Sequence, residues 1–180
     1  VIAWRAGAVS SSDLYSNANA DDAQISTAVR LGGLRSIQDP ELIFTDQMPL
    51  TSKGQRRQKV RRAQGLIRLL SRKRKFWFSK REGRFSKILR RNAWMHILSP
   101  LVIVGGATLA LLRNIVYPSD SNLMYSLSIL ELYCLSSWLF TRVNKSFFGI
   151  KTVGTILCGI ENLFVAIMAT GRGKSLHMWE

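Results

Sequence analysis

Acidic residues are scarce in this chain and cysteines scarcer still. Eleven Asp and Glu stand against 26 Lys and Arg, leaving a formal net charge of +15 over 180 residues. The two cysteines, Cys134 and Cys158, lie far apart and form no Cys-x-x-Cys pair. That excludes a cysteine-built metal knot and a dithiol redox motif, and leaves both as small apolar residues suited to a reducing setting. There is no internal repeat and no Asp-x-Asp triplet. Residues 1–9 are too short for a signal peptide and include Arg5. The chain opens at Val1 without an initiator Met, so it is expected to be part of a longer or processed product.

The charge that is present is concentrated. Residues 53–91 hold seventeen of the 26 Lys and Arg and a single acid, Glu82, for a local charge of +16. The remainder of the chain is therefore close to neutral. Phe76, Trp77, Phe78 and Phe85 are interleaved with these cations, while Val60, Ala63, Leu66, Ile67, Leu69 and Leu70 make an apolar stripe. Rings and aliphatic stems buried at a headgroup boundary, with cations meeting anionic lipid, explain that mixture. The expected form is a helix, a break near Gly83, and a second helix.

From Ala93 the sequence turns apolar. Residues 93–112 contain His96 as their only ionisable group and are long enough to cross a hydrocarbon layer of ~30 Å at ~1.5 Å per residue. Pro100 and Gly105-Gly106 lie inside that run, where neighbouring groups can re-satisfy the backbone. A second span is expected at 123–141, with Glu131 inside it. A third and weakest is expected at 147–170, carrying Lys151, Glu161 and Asn162. Glu131 and Glu161 read either as functional groups or as side chains directed to a headgroup level or a neighbouring helix. By the Lys/Arg bias, residues 53–91 are cytoplasmic and the 113–122 connector is external. The connector with Arg142, Lys145 and Lys151 is internal. Three full spans put the tail 171–180 outside, although it too is basic.

The first half has the look of the end of an α/β domain. A helix is expected over 22–31, stopped by Gly32-Gly33. Short strands are expected at 34–37 and 41–45, divided by the Asp39-Pro40 turn.

Two places can carry chemistry. Asp21 and Asp22 sit at a helix start, where carboxylates cap free N–H groups. The same carboxylates can serve as a general base for a hydroxyl nucleophile. Gln58, Arg61, Arg62 and Gly65 share one helical face. An amide, two fixed cations and a close-packing glycine suit a diphosphate leaving group and a threaded sugar, although a solvated basic helix has the same composition.

Taken together, Ala20-Asp21-Asp22-Ala-Gln24, Arg61-Arg62-Ala-Gln-Gly65 and Met95-His96-x-x-Ser99-Pro100 resemble the carboxyl-terminal part of membrane-integrated family 2 glycosyltransferases, the group that includes cellulose, chitin and hyaluronan synthases. The resemblance covers nearly the whole chain, down to the ending at Trp179-Glu180. It implies the end of a GT-A domain (1–52), basic amphipathic interfacial helices (53–91), about three transmembrane helices (93–112, 123–141, 147–170) and a tail (171–180). It further implies an α-dominated membrane chain in a plasma membrane, with its catalytic part cytoplasmic.

The resemblance also implies roles. Asp22 takes the place of the general base that deprotonates the acceptor hydroxyl, and Asp21 stands for the neighbouring family Glu. Gln58 and Arg61 match the family's Gln-x-x-Arg-Trp motif, with Arg62 in place of the Trp that stacks on an acceptor sugar. That departure makes a lipid-phosphate acceptor more plausible and leaves processivity open. The implied partners are a nucleotide-sugar donor and a saccharide or lipid-linked acceptor. Mg²⁺ or Mn²⁺ is expected in the complete enzyme, held by an Asp-x-Asp that this chain lacks. The 180 residues alone are therefore expected to be inactive.

Two other readings compete. One is a non-enzymatic membrane protein whose polybasic segment binds an anionic lipid bilayer. The other is nucleic-acid binding, which the basic and aromatic content permits and the apolar spans argue against. No nucleic-acid partner is expected.

Overall fold

A computed structural model of the chain describes residues 7, 9–10, 21–37, 41, 49–116, 122–145 and 149–174. Regular structure among them is helical throughout. The helices are α1 (Asp21–Leu31), α2 (Ser52–Arg72), α3 (Arg84–Ala93), α4 (Ser99–Val116), α5 (Asn122–Arg142) and α6 (Ile150–Gly171). A 3-10 turn occupies Arg74–Phe76, and a π-helical turn at Trp94–Leu98 joins α3 to α4. The chain divides into two compact units, Val1–Trp94 with Ala166–Glu180, and Met95–Val165.

The first unit is built around α2, which packs against both α1 and α3. Its core is small: Ile25 and Val29 from α1, Val60, Ile67, Leu69 and Leu70 from α2, and Leu89 and Ala93 from α3 are buried. Each such aliphatic side chain contributes about 1.5–3 kcal/mol on leaving water. The buried positions recur every three to four residues, so one face of each helix turns inward and the cations take the others.

Local chemistry sets the helix ends. Thr51 adopts extended geometry and its Oγ1 accepts the Gly54 N–H at 3.1 Å, capping α2. The Asp22 Oδ1 accepts the Ala23 N–H at 2.8 Å in the first turn of α1. Gly33, at φ +82°, ends α1 by a left-handed residue that glycine adopts freely. The helical break falls earlier than Gly83: α2 stops at Arg72, and turns fill the interval to Gly83, whose φ of +49° precedes α3. Ser86 on α3 donates its hydroxyl to the Trp77 carbonyl at 2.6 Å, fastening those turns to the helix.

The expected strands are not found among the described residues. Residues 34–37 form no regular structure and are exposed, with the Leu34 N–H returned to the Val29 carbonyl of α1 at 3.1 Å, and Glu41 lies in a turn; residues 42–45 lie outside the described residues. Propensity alone does not make a strand, since backbone groups there need a partner strand. The α/β expectation therefore gives way to a helical first unit.

The second unit contains α4, α5 and most of α6. The run from α3 to α4 is helical without interruption. The π turn immediately precedes Pro100, whose ring removes one donor and crowds the carbonyl four residues back, so a locally widened turn accommodates it. Two helices among the described residues are long and apolar enough to cross a membrane: Arg84–Asn114, of 31 residues, and Ile150–Gly171, of 22. Their apolar side chains face outward, among them Val102, Ile103, Leu109, Leu112 and Ile156. The core helix of a water-soluble domain would bury such a face. Helices stand at all three expected positions, but three spans are not supported: the segment expected at 123–141 is not one of these two, and the segment read from sequence as weakest is.

Both glutamates of this unit are partnered, whereas the buried Ser137 Oγ, Thr141 Oγ1 and Asn162 Oδ1 make no hydrogen bond among the described residues. Asn114 donates through Nδ2 to the Glu131 Oε2 at 2.6 Å, linking α4 to α5. Trp138 donates through Nε1 to the Glu161 Oε2 at 3.0 Å, and Arg142 pairs with the other carboxylate oxygen, linking α5 to α6. Glu131 and Glu161 thus serve neighbouring helices.

Candidate functional site

The residues expected to carry chemistry all lie in the first unit. Asp21 and Asp22 are exposed in the first turn of α1. The bond from Ala23 to Asp22 is a helix-end contact, the capping role open to any carboxylate at this position. Gln58 and Arg61 are half-buried on α2, Arg62 is exposed, and Gly65 is buried. The shared face expected for these four is therefore graded, from the packed side at Gly65 to solvent at Arg62. Packing of α1 on α2 places the two runs on adjoining helices.

Arg61 is one of two arginines of α2 with a buried Nε, the other being Arg56. The Arg61 Nε has no hydrogen-bond acceptor among the described residues. A buried donor left unmade costs about 1–3 kcal/mol, more when the group is charged. The guanidinium thus holds a fixed donor for an anionic acceptor, in a geometry that matches carboxylate or phosphate oxygens.

Sequence reasoning missed Gln64 and Arg68. Gln64 is fully buried and donates from Nε2 to the Lys174 carbonyl at 2.6 Å. Arg68, one turn on, donates from Nη2 to the same oxygen at 2.8 Å. The pair clasps the backbone just beyond α6. A glutamine inside an otherwise apolar helical stripe was the available signal, because a buried amide must find partners.

Among the described residues this unit has hollows that do not include Asp22, Gln58 or Arg61. One, of about 420 Å³, is bounded by Ser26, Thr27, Arg30, Ser36, Arg84, Phe85 and Ile88. Arg30 lies over the Phe85 ring there, 5.6 Å from its centroid. Another, of about 330 Å³, is bounded by Lys87, Arg90, Arg91 and Trp94. Among the described residues no group of three or more His, Cys, Asp or Glu is placed to hold a metal ion. No family description, curated protein or solved structure matches the chain.

Proposed function

We propose that this chain is the acceptor-side and membrane portion of an inverting glycosyltransferase, working at the cytoplasmic face of a bilayer. The observation that carries the reading is the buried Nε of Arg61, without an acceptor among the described residues, on a helix that also holds Gln58 and packs against the helix opened by Asp21 and Asp22. Asp22 would remove the proton from the acceptor hydroxyl as its oxygen attacks the anomeric carbon of a nucleotide-sugar. Arg61 would stabilise the charge that develops on the leaving diphosphate. Gln58 would position the acceptor by hydrogen bonding, and Arg62, at the exposed edge, would meet a phosphate or the face of a sugar ring. A divalent cation, when bound, would neutralise the diphosphate, and its ligands would come from outside these helices.

The Lys174 clasp bears on membrane topology. Gln64 and Arg68 hold the residue that follows α6 beside α2, so both lie on one side of any bilayer the chain enters. An even number of crossings between them follows. Arg84–Asn114 and Ile150–Gly171, the two helices long and apolar enough to cross among the described residues, would supply two. The tail cations Arg172 and Lys174 then share the side of the basic helices, as the distribution of Lys and Arg favours. This removes the conflict of a basic tail outside that three full spans create.

The test uses the chain together with any sequence that precedes Val1 in its gene, expressed in membranes and supplied with labelled nucleotide-sugars. Asp22→Asn should abolish transfer while the protein stays in the membrane fraction. Arg61→Lys should lower kcat strongly, because a point charge does not replace the planar fork. Unchanged transfer by Asp22→Asn removes that carboxylate from the mechanism. Absence of an Asp-x-Asp upstream, with no transfer by the wild type, sinks the enzyme reading.

The local capping bond of Asp22 and the cation-lined hollow on α3 favour a second reading, a non-enzymatic membrane protein that binds anionic lipid. It predicts bilayer binding with no sugar transfer under the same conditions.

A further inference from the structure

We infer that α3 carries a discrete site for the phosphate headgroup of an anionic glycerophospholipid, formed by Lys87, Arg90, Arg91 and Trp94. The inference rests on the membrane-docking part of the proposed function and is independent of the glycosyltransferase chemistry.

These four residues bound the hollow of about 330 Å³. They stand at i, i+3, i+4 and i+7, which aligns them along one helical face. The packed side of α3 is elsewhere, at Ser86, Leu89 and Ala93, so the cationic face flanks the core and opens outward. No acid is among the described residues that line the hollow. Glu82, the sole acid of the basic segment, lies 4.0 Å from the neighbouring Arg81.

Position along the helix selects a lipid over a free anion. Trp94 is the last residue before the helix becomes a long apolar rod, and its side chain is 55% exposed. Beyond it Met95, Leu98, Leu101, Val102 and Ile103 are exposed; before it come Arg91, Arg90 and Lys87. In a bilayer that junction falls at headgroup level, where tryptophan prefers to sit. Ile88 and Met95, both exposed, offer apolar surface for the start of an acyl chain beside the cations.

Arg90, although exposed, has an aromatic neighbour. Its guanidinium lies over the ring of Phe78, 5.4 Å from the centroid, and Phe78 is itself 73% exposed. The ring supports one face of the guanidinium and leaves its edge N–H groups for phosphate oxygens. A diffuse polybasic surface needs no such arrangement. A site that recognises one phosphate needs fixed donors converging on one hollow.

The experiment reconstitutes the full chain in phosphatidylcholine vesicles containing a small fraction of spin-labelled phosphatidylglycerol and reads the motionally restricted lipid per chain. The variant Lys87→Gln/Arg90→Gln/Arg91→Gln should lose about tenfold in relative affinity for the anionic lipid. Lys73→Gln/Arg74→Gln/Lys75→Gln, with the same charge removed from the turn after α2, should lose less than roughly threefold. Trp94→Ala, which changes no charge, should weaken the same signal, and far-UV circular dichroism checks that each variant is folded. Equal losses from the two triple variants leave only diffuse attraction and overturn the site. Displacement of the lipid by soluble glycerol phosphate at comparable concentration overturns the choice of a bilayer lipid. A wild type with no preference for phosphatidylglycerol over phosphatidylcholine overturns the site and the membrane-docking reading together. Sugar transfer lost without any change in lipid preference would bear on the glycosyltransferase reading alone.

Discussion

The side-chain amide of Gln64 donates to the backbone carbonyl of Lys174 at 2.6 Å, across 110 residues of sequence. The amide is fully buried, and the carbonyl belongs to the first residues past the last helix. One bond thus fastens the basic amphipathic helix to the end of an apolar one.

Removing that amide should loosen the carboxyl-terminal segment before anything else. Gln64→Ala is expected to cost about 1–3 kcal/mol, the penalty for a lost buried hydrogen bond with its partner left in place. Arg68→Ala should cost less, since Arg68 is half-exposed and solvent replaces its contact. Chemical denaturation in detergent measures both. Limited proteolysis should show earlier cleavage beyond Gly171 in Gln64→Ala with helix content unchanged.

The same contact predicts the sidedness of two positions. In a background of Cys134→Ser and Cys158→Ser, Lys59→Cys and Arg172→Cys should react with a membrane-impermeant maleimide from the same side of sealed vesicles. Labelling from opposite sides would rule out the even-crossing arrangement.

At Gly154 the backbone of α6 comes close to α5. A Cβ added there would run into the Thr141 side chain and the Ser137 carbonyl. Gly154→Val should therefore cost roughly 1–3 kcal/mol or more, because neither obstacle is the flexible end of a side chain. Gly159→Ala is its control: nothing lies within 4 Å of the new Cβ. Relief of the glycine penalty in a helix interior, up to about 1 kcal/mol, should stabilise that variant. Thermal unfolding in detergent is expected to move the two in opposite directions.

Glu161 joins two groups on α5, the Trp138 indole N–H at 3.0 Å and the Arg142 guanidinium. Glu161→Gln keeps an acceptor for the indole and should cost less than Glu161→Leu, which leaves both donors without it, a loss of about 1–3 kcal/mol. The Arg142 side chain is 41% exposed, so solvent limits its share. A double-mutant cycle with Arg142→Leu should recover part of the Glu161→Leu penalty. Strict additivity would mean that the ion pair contributes nothing measurable.

Asp22→Asn and Arg61→Lys test the catalytic proposal, and Thr51→Ala tests the fold beneath it. The loss of the Thr51 cap should destabilise the first unit by about 1 kcal/mol without altering lipid preference, as read by denaturant midpoint and vesicle binding.

Much of the helical outline is legible in the sequence. Asp21-Asp22 and Gly32-Gly33 bracket α1 because carboxylates and left-handed glycines satisfy opposite helix ends. The apolar stripe through Val60, Ile67 and Leu70 reads directly as the buried side of α2. The strands expected at 34–37 and 41–45 mislead because β-formers in a short run are indistinguishable from an exposed irregular segment until a partner strand is present. The break assigned to Gly83 is half right: the glycine starts α3, but the turn at Arg74–Phe76 had already ended the preceding helix. Of the candidate site, the sequence places Gln58, Arg61 and Arg62 on one face, while the depth of each depends on what packs beside α2.

The sequence by itself determined the concentration of charge at 53–91, the change to apolar residues at Ala93, and the helical periods that follow, because these depend only on residue type and spacing. Tertiary structure alone decided that Gln64 faces inward onto Lys174, that Glu131 and Glu161 are taken up by Asn114, Trp138 and Arg142, and that the Arg61 Nε is buried without an acceptor among the described residues. Those outcomes depend on which distant groups share a desolvated space. The free energy of a buried polar atom is set by its neighbours there, and local sequence does not contain them.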